Sequence, residues 1–130
     1  MVSGNKNDLV YPKESYIINS CIYEVNNKLG TGFLEEVYQE ALEIELSRAN
    51  IPFVSKQEFT ISYDNIPLKK KYIADIVCYN KIIIEIKAVS QITENHKAQI
   101  VNYLKVSGYK LGLLVNFCAY QKADITRMVN

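Results

Sequence analysis

A mixed β-sheet flanked by helices, an α/β chain of α+β-like layout, is what three observations predict. The hydrophobic period changes from 3.6 residues to two just past Pro52. One later segment, Ile82 to Val89, is apolar on both faces, as a central strand should be. The elements then follow the order helix, helix, three strands, helix, strand, which suits a sheet with helices packed against it.

The 130 residues are enough for one core and too few for two. With 48% hydrophobic and 22% charged residues, the composition is that of an ordinary globular chain rather than a disordered, collagenous or membrane one. A net charge of +1 gives no global basic field, so contact with nucleic acid would have to come from a local patch.

Residues 1 to about 12 are polar, carry Gly4 and several Asn, and read as a flexible N-terminal arm ahead of a single domain from 13 to 130. Ile17, Ile18, Cys21, Ile22, Val25 and Leu29 then recur on one helical face, and Gly30 stops the helix. A second helix has the stripe Leu34, Val37, Tyr38, Ala41, Leu42 and Leu46, closed by Asn50 and Pro52. Next comes a strand in which Phe53, Gln57, Phe59, Ile61 and Tyr63 alternate with Val54, Lys56, Glu58 and Thr60. It ends in the turn Asp64-Asn65-Ile66-Pro67.

Two more strands, Lys71 to Tyr79 and Ile82 to Val89, are separated by a short corner at Asn80-Lys81. Thr93 is placed to cap a helix through Val106 that Gly108 closes, before a buried strand from Leu111 to Phe117 and a short terminal strand near Ile125. Cys21, Cys78 and Cys118 are far apart and sit in apolar runs, so buried reduced thiols and a cytosolic setting are expected. The N-terminus lacks signal-peptide character, and no apolar stretch is long enough to cross a bilayer.

Charges inside the most apolar segments carry the chemical information. Asp75 lies in Tyr-Ile-Ala-Asp-Ile-Val-Cys, and Glu85 and Lys87 lie in Ile-Ile-Ile-Glu-Ile-Lys-Ala, where a charge is costly unless paired or bound to metal. Two residues apart on a strand, Glu85 and Lys87 leave the same face. Carboxylates can hold Mg²⁺ or Mn²⁺ against a phosphate oxygen and a water, while an ammonium orients or deprotonates that water. Given ten Glu and thirteen Lys, chance alone supplies about one Glu-x-Lys, so the context and not the tripeptide is informative. The competing reading is an ion pair at a solvated strand edge.

Gly32-Phe33-Leu34-Glu35-Glu36-Val37-Tyr38 follows the first helix, and Ala74-Asp75, Glu85-Ile86-Lys87, Gln99 to Lys105, Gly112 to Phe117 and Arg127 follow in order. In these motifs the chain resembles the GxxExxY family of small bacterial and archaeal proteins, which is assigned to the PD-(D/E)XK nuclease superfamily. The resemblance implies a nuclease-like mixed sheet and metal-dependent hydrolysis of phosphodiesters in DNA or RNA. Asp75, Glu85 and the Ile86 carbonyl would be ligands to Mg²⁺ or Mn²⁺, and Lys87 the catalytic lysine. Glu35 would be an auxiliary acid, and Gln99 and Tyr103, four apart on one helical face, a flanking pair. One departure is Ile73, where the family usually carries a base. A catalytically silent domain that binds nucleic acid or a protein is the other reading, and a homodimer or accessory protein could hold the substrate.

The remaining residues divide by type. Gly32 suits a corner that a β-carbon would hinder, and Tyr38 falls in the buried stripe. His96 can face the site or serve as a surface or capping residue. Lys69-Lys70-Lys71 can grip a phosphate backbone or form a solvated surface.

Overall fold

Pro12 opens the first helix, where its fixed φ is pre-organised and its missing N–H is not needed. α1 (Pro12–Leu29) ends at Gly30, whose φ of 68° a β-carbon would disfavour. α2 (Glu35–Arg48) is followed by β1 (Phe53–Tyr63), β2 (Ile66–Cys78), β3 (Ile82–Lys87), α3 (Glu94–Ser107), β4 (Leu111–Asn116) and β5 (Asp124–Val129). The computed structural model describes residues 10–119 and 121–130. Most of the expected N-terminal arm therefore lies outside the described residues. Val10 and Tyr11, at its end, pack against the main core.

The five strands form one sheet in the order β1-β2-β3-β4-β5, which puts β3, apolar but for Glu85 and Lys87, at its centre. β3 and β4 run parallel because α3 crosses between them, and every other neighbour is antiparallel. The larger core lies under α1 and α2, where Ile18, Ile22, Tyr38 and Leu42 meet Ile76, Ile84 and Leu113. A smaller cluster of Tyr72, Ala74, Val77, Ile83 and Leu104 forms on the α3 face.

Several boundaries differ from the sequence reading. β2 begins at Ile66, because Asp64 and Asn65 alone make the turn, both at positive φ. Pro67 is accommodated next to this turn, opposite Ser62. β3 ends at Lys87 rather than Val89. Ile17, Leu34 and Val37 are 41%, 71% and 38% exposed, so the buried stripes of α1 and α2 are narrower than their periodicity suggested. In their place the buried faces include the polar Ser15, Asn26 and Gln39.

A larger correction concerns the alternation along β1. Phe53 packs in the main core, whereas Phe59 and Ile61, of the same parity, pack in the α3-side cluster. β2 reverses likewise: Tyr72 and Ala74 face one core and Ile76 and Cys78 the other. Both reversals meet at one rung. Lys56 has φ 56°, and it drops out of the regular pairing between Ser55↔Ile76 and Gln57↔Ala74, opposite Asp75. A lysine in this left-handed region carries a steric cost that glycine does not. Lys56→Gly should therefore be more stable than Lys56→Ala by about 1 kcal/mol in denaturant titration, since both lose the side chain and only the backbone preference differs. Equal stabilities would mean that the position relaxes on substitution.

Candidate active site

The corner between β2 and β3 has three residues, Tyr79, Asn80 and Lys81, one more than the strand bounds read from the sequence left and the odd number that convergence of Asp75 and Glu85 requires, and Tyr79 and Asn80 take positive φ. Loop parity fixes which side chains meet. Cys78 pairs with Ile82, Val77 with Ile83 and Ile76 with Ile84, so the next rung places Asp75 opposite Glu85. A two-residue corner would have paired Asp75 with Ile86.

At that rung side chains bridge the strands. The Asp75 N–H donates to Glu85 Oε2 at 3.1 Å, and the Ile86 N–H donates to Asp75 Oδ2 at 2.8 Å. Each carboxylate thus accepts an amide from the other's strand, which satisfies backbone donors while holding the two acids together. The Tyr72 hydroxyl donates to Glu85 Oε2 at 2.9 Å, and Lys56 Nζ lies 3.3 Å from Asp75 Oδ1. Gln39, on α2, donates to the Asp75 carbonyl at 2.9 Å.

Glu85 is only 8% exposed, and its pKa is pushed up to about 7. Burial is the main cause and the negative charge of Asp75 the second, while the Asp75 amide, the Tyr72 hydroxyl and the Lys87 charge pull the other way. Lys87, half-buried, shares the face of Glu85 on β3. Opposite it on β4, the buried Asn116 accepts from the Val89 N–H at 3.0 Å and donates to the Val89 carbonyl at 2.8 Å, fixing the chain where it leaves β3.

Residues 12–128 match the PD-(D/E)XK nuclease superfamily. The chain belongs to that superfamily. A solved structure, that of SSO0001, shares the fold with a TM-score of 0.58 at 20% identity, over 96% of this chain and 61% of that one. The chain therefore spans less than two thirds of the length of SSO0001. No curated protein matches the sequence.

PD-(D/E)XK nucleases typically use divalent metal ions, and the donor chemistry here suits one. Mg²⁺ takes oxygen ligands and is commonly held by one or two carboxylates with waters completing the shell. Asp75 and Glu85 supply two carboxylates at one rung, and their mutual repulsion is what a cation relieves. Among the described residues no group of three or more His, Cys, Asp or Glu side chains could hold a metal, so further ligands would come from backbone or water.

The other residues singled out in the sequence separate into near and distant ones. Glu35 is exposed, but its Oε2 accepts from the Ala88 N–H at 3.3 Å, next to Lys87. Tyr38 explains how it gets there: its hydroxyl donates to the Gly30 carbonyl at 2.6 Å and accepts from the Phe33 N–H at 3.3 Å, clamping the corner from which α2 starts. Gly32 sits in that corner at φ 105°, and Tyr38 itself is buried against Phe117. Tyr103 stacks on Tyr72, centroids 3.6 Å apart, and so reaches Glu85 through that ring. Burial raises the Tyr103 pKa, with the charges of Glu85 and Asp75 adding to it, while the neighbouring Gln99 side chain lowers it.

His96 belongs to the helix cap: its Nδ1 accepts from the Thr93 N–H, and its own N–H donates to Thr93 Oγ1. Arg127 donates to Ser15 Oγ and the Val10 carbonyl. Tyr72, Lys56, Gln39 and Asn116 were not picked out from the sequence. Gln39 alone left a signal, a polar residue three and seven positions before Leu42 and Leu46 in a buried stripe.

Proposed function

We propose that this chain is a metal-dependent nuclease of the GxxExxY type that hydrolyses phosphodiester bonds in DNA or RNA. The observation that carries the reading is the rung where Asp75 and Glu85 face each other, with Lys87 on the same face as Glu85. Asp75, Glu85 and the Ile86 carbonyl would hold Mg²⁺ or Mn²⁺, which when bound supplies Lewis acidity and an acidified water. Lys87 orients the attacking water and takes up its proton, and in its charged form offsets the negative charge growing on the phosphate. Tyr72 and the Asp75 amide fix the Glu85 carboxylate so that one oxygen stays oriented, and Gln39 holds the Asp75 backbone in place. Glu35 and the Gln99–Tyr103 pair border the centre.

Cys21, Cys78 and Cys118 are free thiols, two of them buried, and burial pushes Cys78 up to about 12. These inert thiols fit a reducing cytosolic setting. A second copy or an accessory protein would help so small a domain hold a long substrate. Purified protein should degrade single- or double-stranded DNA or RNA with Mg²⁺ or Mn²⁺, lose that activity in EDTA, and lose it again in Glu85→Ala. Persistence of the same cleavage in Glu85→Ala would assign it to a contaminant, and metal binding with no cleavage of any of these polymers would favour a silent binding domain.

A further inference from the structure

We infer that the β1–β2 hairpin beyond the Lys56/Asp75 rung is a backbone-binding arm for a nucleic-acid duplex, with Lys69, Lys70 and Lys71 as its phosphate contacts. The inference rests on the nuclease reading of Asp75 and Glu85 and names how the polymer is held there. β3 pairs with β2 only at Ile76, Val77 and Cys78, so the hairpin from that point to its Asp64-Asn65 turn runs on with β1 as its ladder partner. The register shifts between Thr60 and Ser62, leaving Leu68, Lys69 and Lys70 without regular partners on β1.

All three lysines are exposed, and among the described residues none forms an ion pair. Lys71 makes one long contact, 3.5 Å to Thr60 Oγ1. Three adjacent cations outside any ion pair outnumber the hairpin's exposed acids, Glu58 and Asp64, and make a local field that the overall charge of +1 conceals. The exposed start of α2, by contrast, carries Glu35, Glu36 and Glu40, which repel a polyanion. Charge thus favours passage of the polymer along the hairpin rather than over α2.

The arm is also in line with the centre. Lys71 directly precedes Tyr72, whose hydroxyl holds Glu85. At about 3.3 Å per residue, Lys71 and Lys69 lie about 13 and 20 Å up the strand from Asp75, a span of roughly four to six base pairs of duplex. The lysines would therefore act on phosphates well away from the bond being cut, so the arm contributes affinity without reading sequence.

The test is salt-dependent binding of a fluorescent DNA duplex, measured by anisotropy in EDTA to suppress cleavage. Replacing Lys69, Lys70 and Lys71 by Gln should make the slope of log affinity against log salt shallower by about 2 to 3. A charge-matched variant, Lys13→Gln with Lys110→Gln and Lys122→Gln, should keep the parent slope. Lys70→Glu alone gives an independent reading should the triple variant fold poorly, and should also flatten the slope. Unchanged slopes in both arm variants overturn the proposal. So does a parent that binds no duplex, and if that parent still cleaves single strands in a metal-dependent way the nuclease reading stands without the arm. Tyr63 and Ile66 at the hairpin tip are 69% and 63% exposed. If Tyr63→Ser with Ile66→Ser changes the sedimenting mass while the lysine variants are silent, the arm is a protein interface instead.

Discussion

Lys87→Ala should lower phosphodiester cleavage by about two to four orders of magnitude while leaving divalent-ion binding in place. The substitution removes an ammonium and leaves both carboxylates of the rung intact. Asp75→Asn should impair both properties. It keeps the shape and the capacity to accept the Ile86 amide while removing the charge that attracts a cation. Titration calorimetry with Mg²⁺ and Mn²⁺ should therefore show weakened binding for Asp75→Asn and near-parental binding for Lys87→Ala, with cleavage lost in both. A Lys87→Ala protein that cuts at the parental rate would remove the lysine from the mechanism. Loss of metal binding in that variant would recast it as a structural support of the rung.

Metal-free protein should lose stability as the pH rises from about 5 to 8. The folded-state pKa of Glu85 is raised to about 7 from 4.5, so the native state holds a proton there that the unfolded chain has already released. The stabilisation is complete below the unfolded value and is lost as pH climbs through the folded one. At about 1.4 kcal/mol per pH unit the loss is on the order of 3 kcal/mol, a fall of roughly 10 °C in melting temperature for a domain of this size. Mg²⁺ should act in the opposite sense, binding the ionised pair and stabilising most at pH 8 and least at pH 5. Glu85→Gln should flatten both profiles. A parent whose melting temperature rises over this range, with Glu85→Gln behaving identically, would show that Glu85 is not held in a charge-averse position.

Much of the fold was legible because β3 is apolar apart from Glu85 and Lys87 and because α1 and α3 end on glycines that the chain requires: Gly30 and Gly108 both take positive φ at helix ends. Asp75, Glu85 and Lys87 stood out because a charge in an apolar strand demands compensation. What compensates them was illegible for a definite reason. Tyr72 looks like any strand tyrosine, and Lys56 like the outward member of an alternating pair. The reversal of pleat at the Lys56/Asp75 rung depends on one backbone angle that no periodicity records. Corner length was legible only through parity: the apolar run extended the strand to Tyr79 and left two corner residues, whereas convergence of Asp75 and Glu85 demands an odd number, which Tyr79 supplies by leaving the strand.

The left-handed residue at position 56 also bears on how this chain would drift. Among the described residues, the other non-glycine positions with positive φ lie at helix ends, turns or loops, whereas Lys56 is inside a strand. Selection for thermal robustness alone would favour glycine there. The lysine in that conformation sets its ammonium 3.3 Å from Asp75, a contact that glycine could not make. A lineage freed from the need for that ammonium would be expected to acquire glycine or asparagine at position 56, or to straighten the strand, before its apolar core changed. Position 56 is thus a place where decay of the chemistry would first be written into descendants.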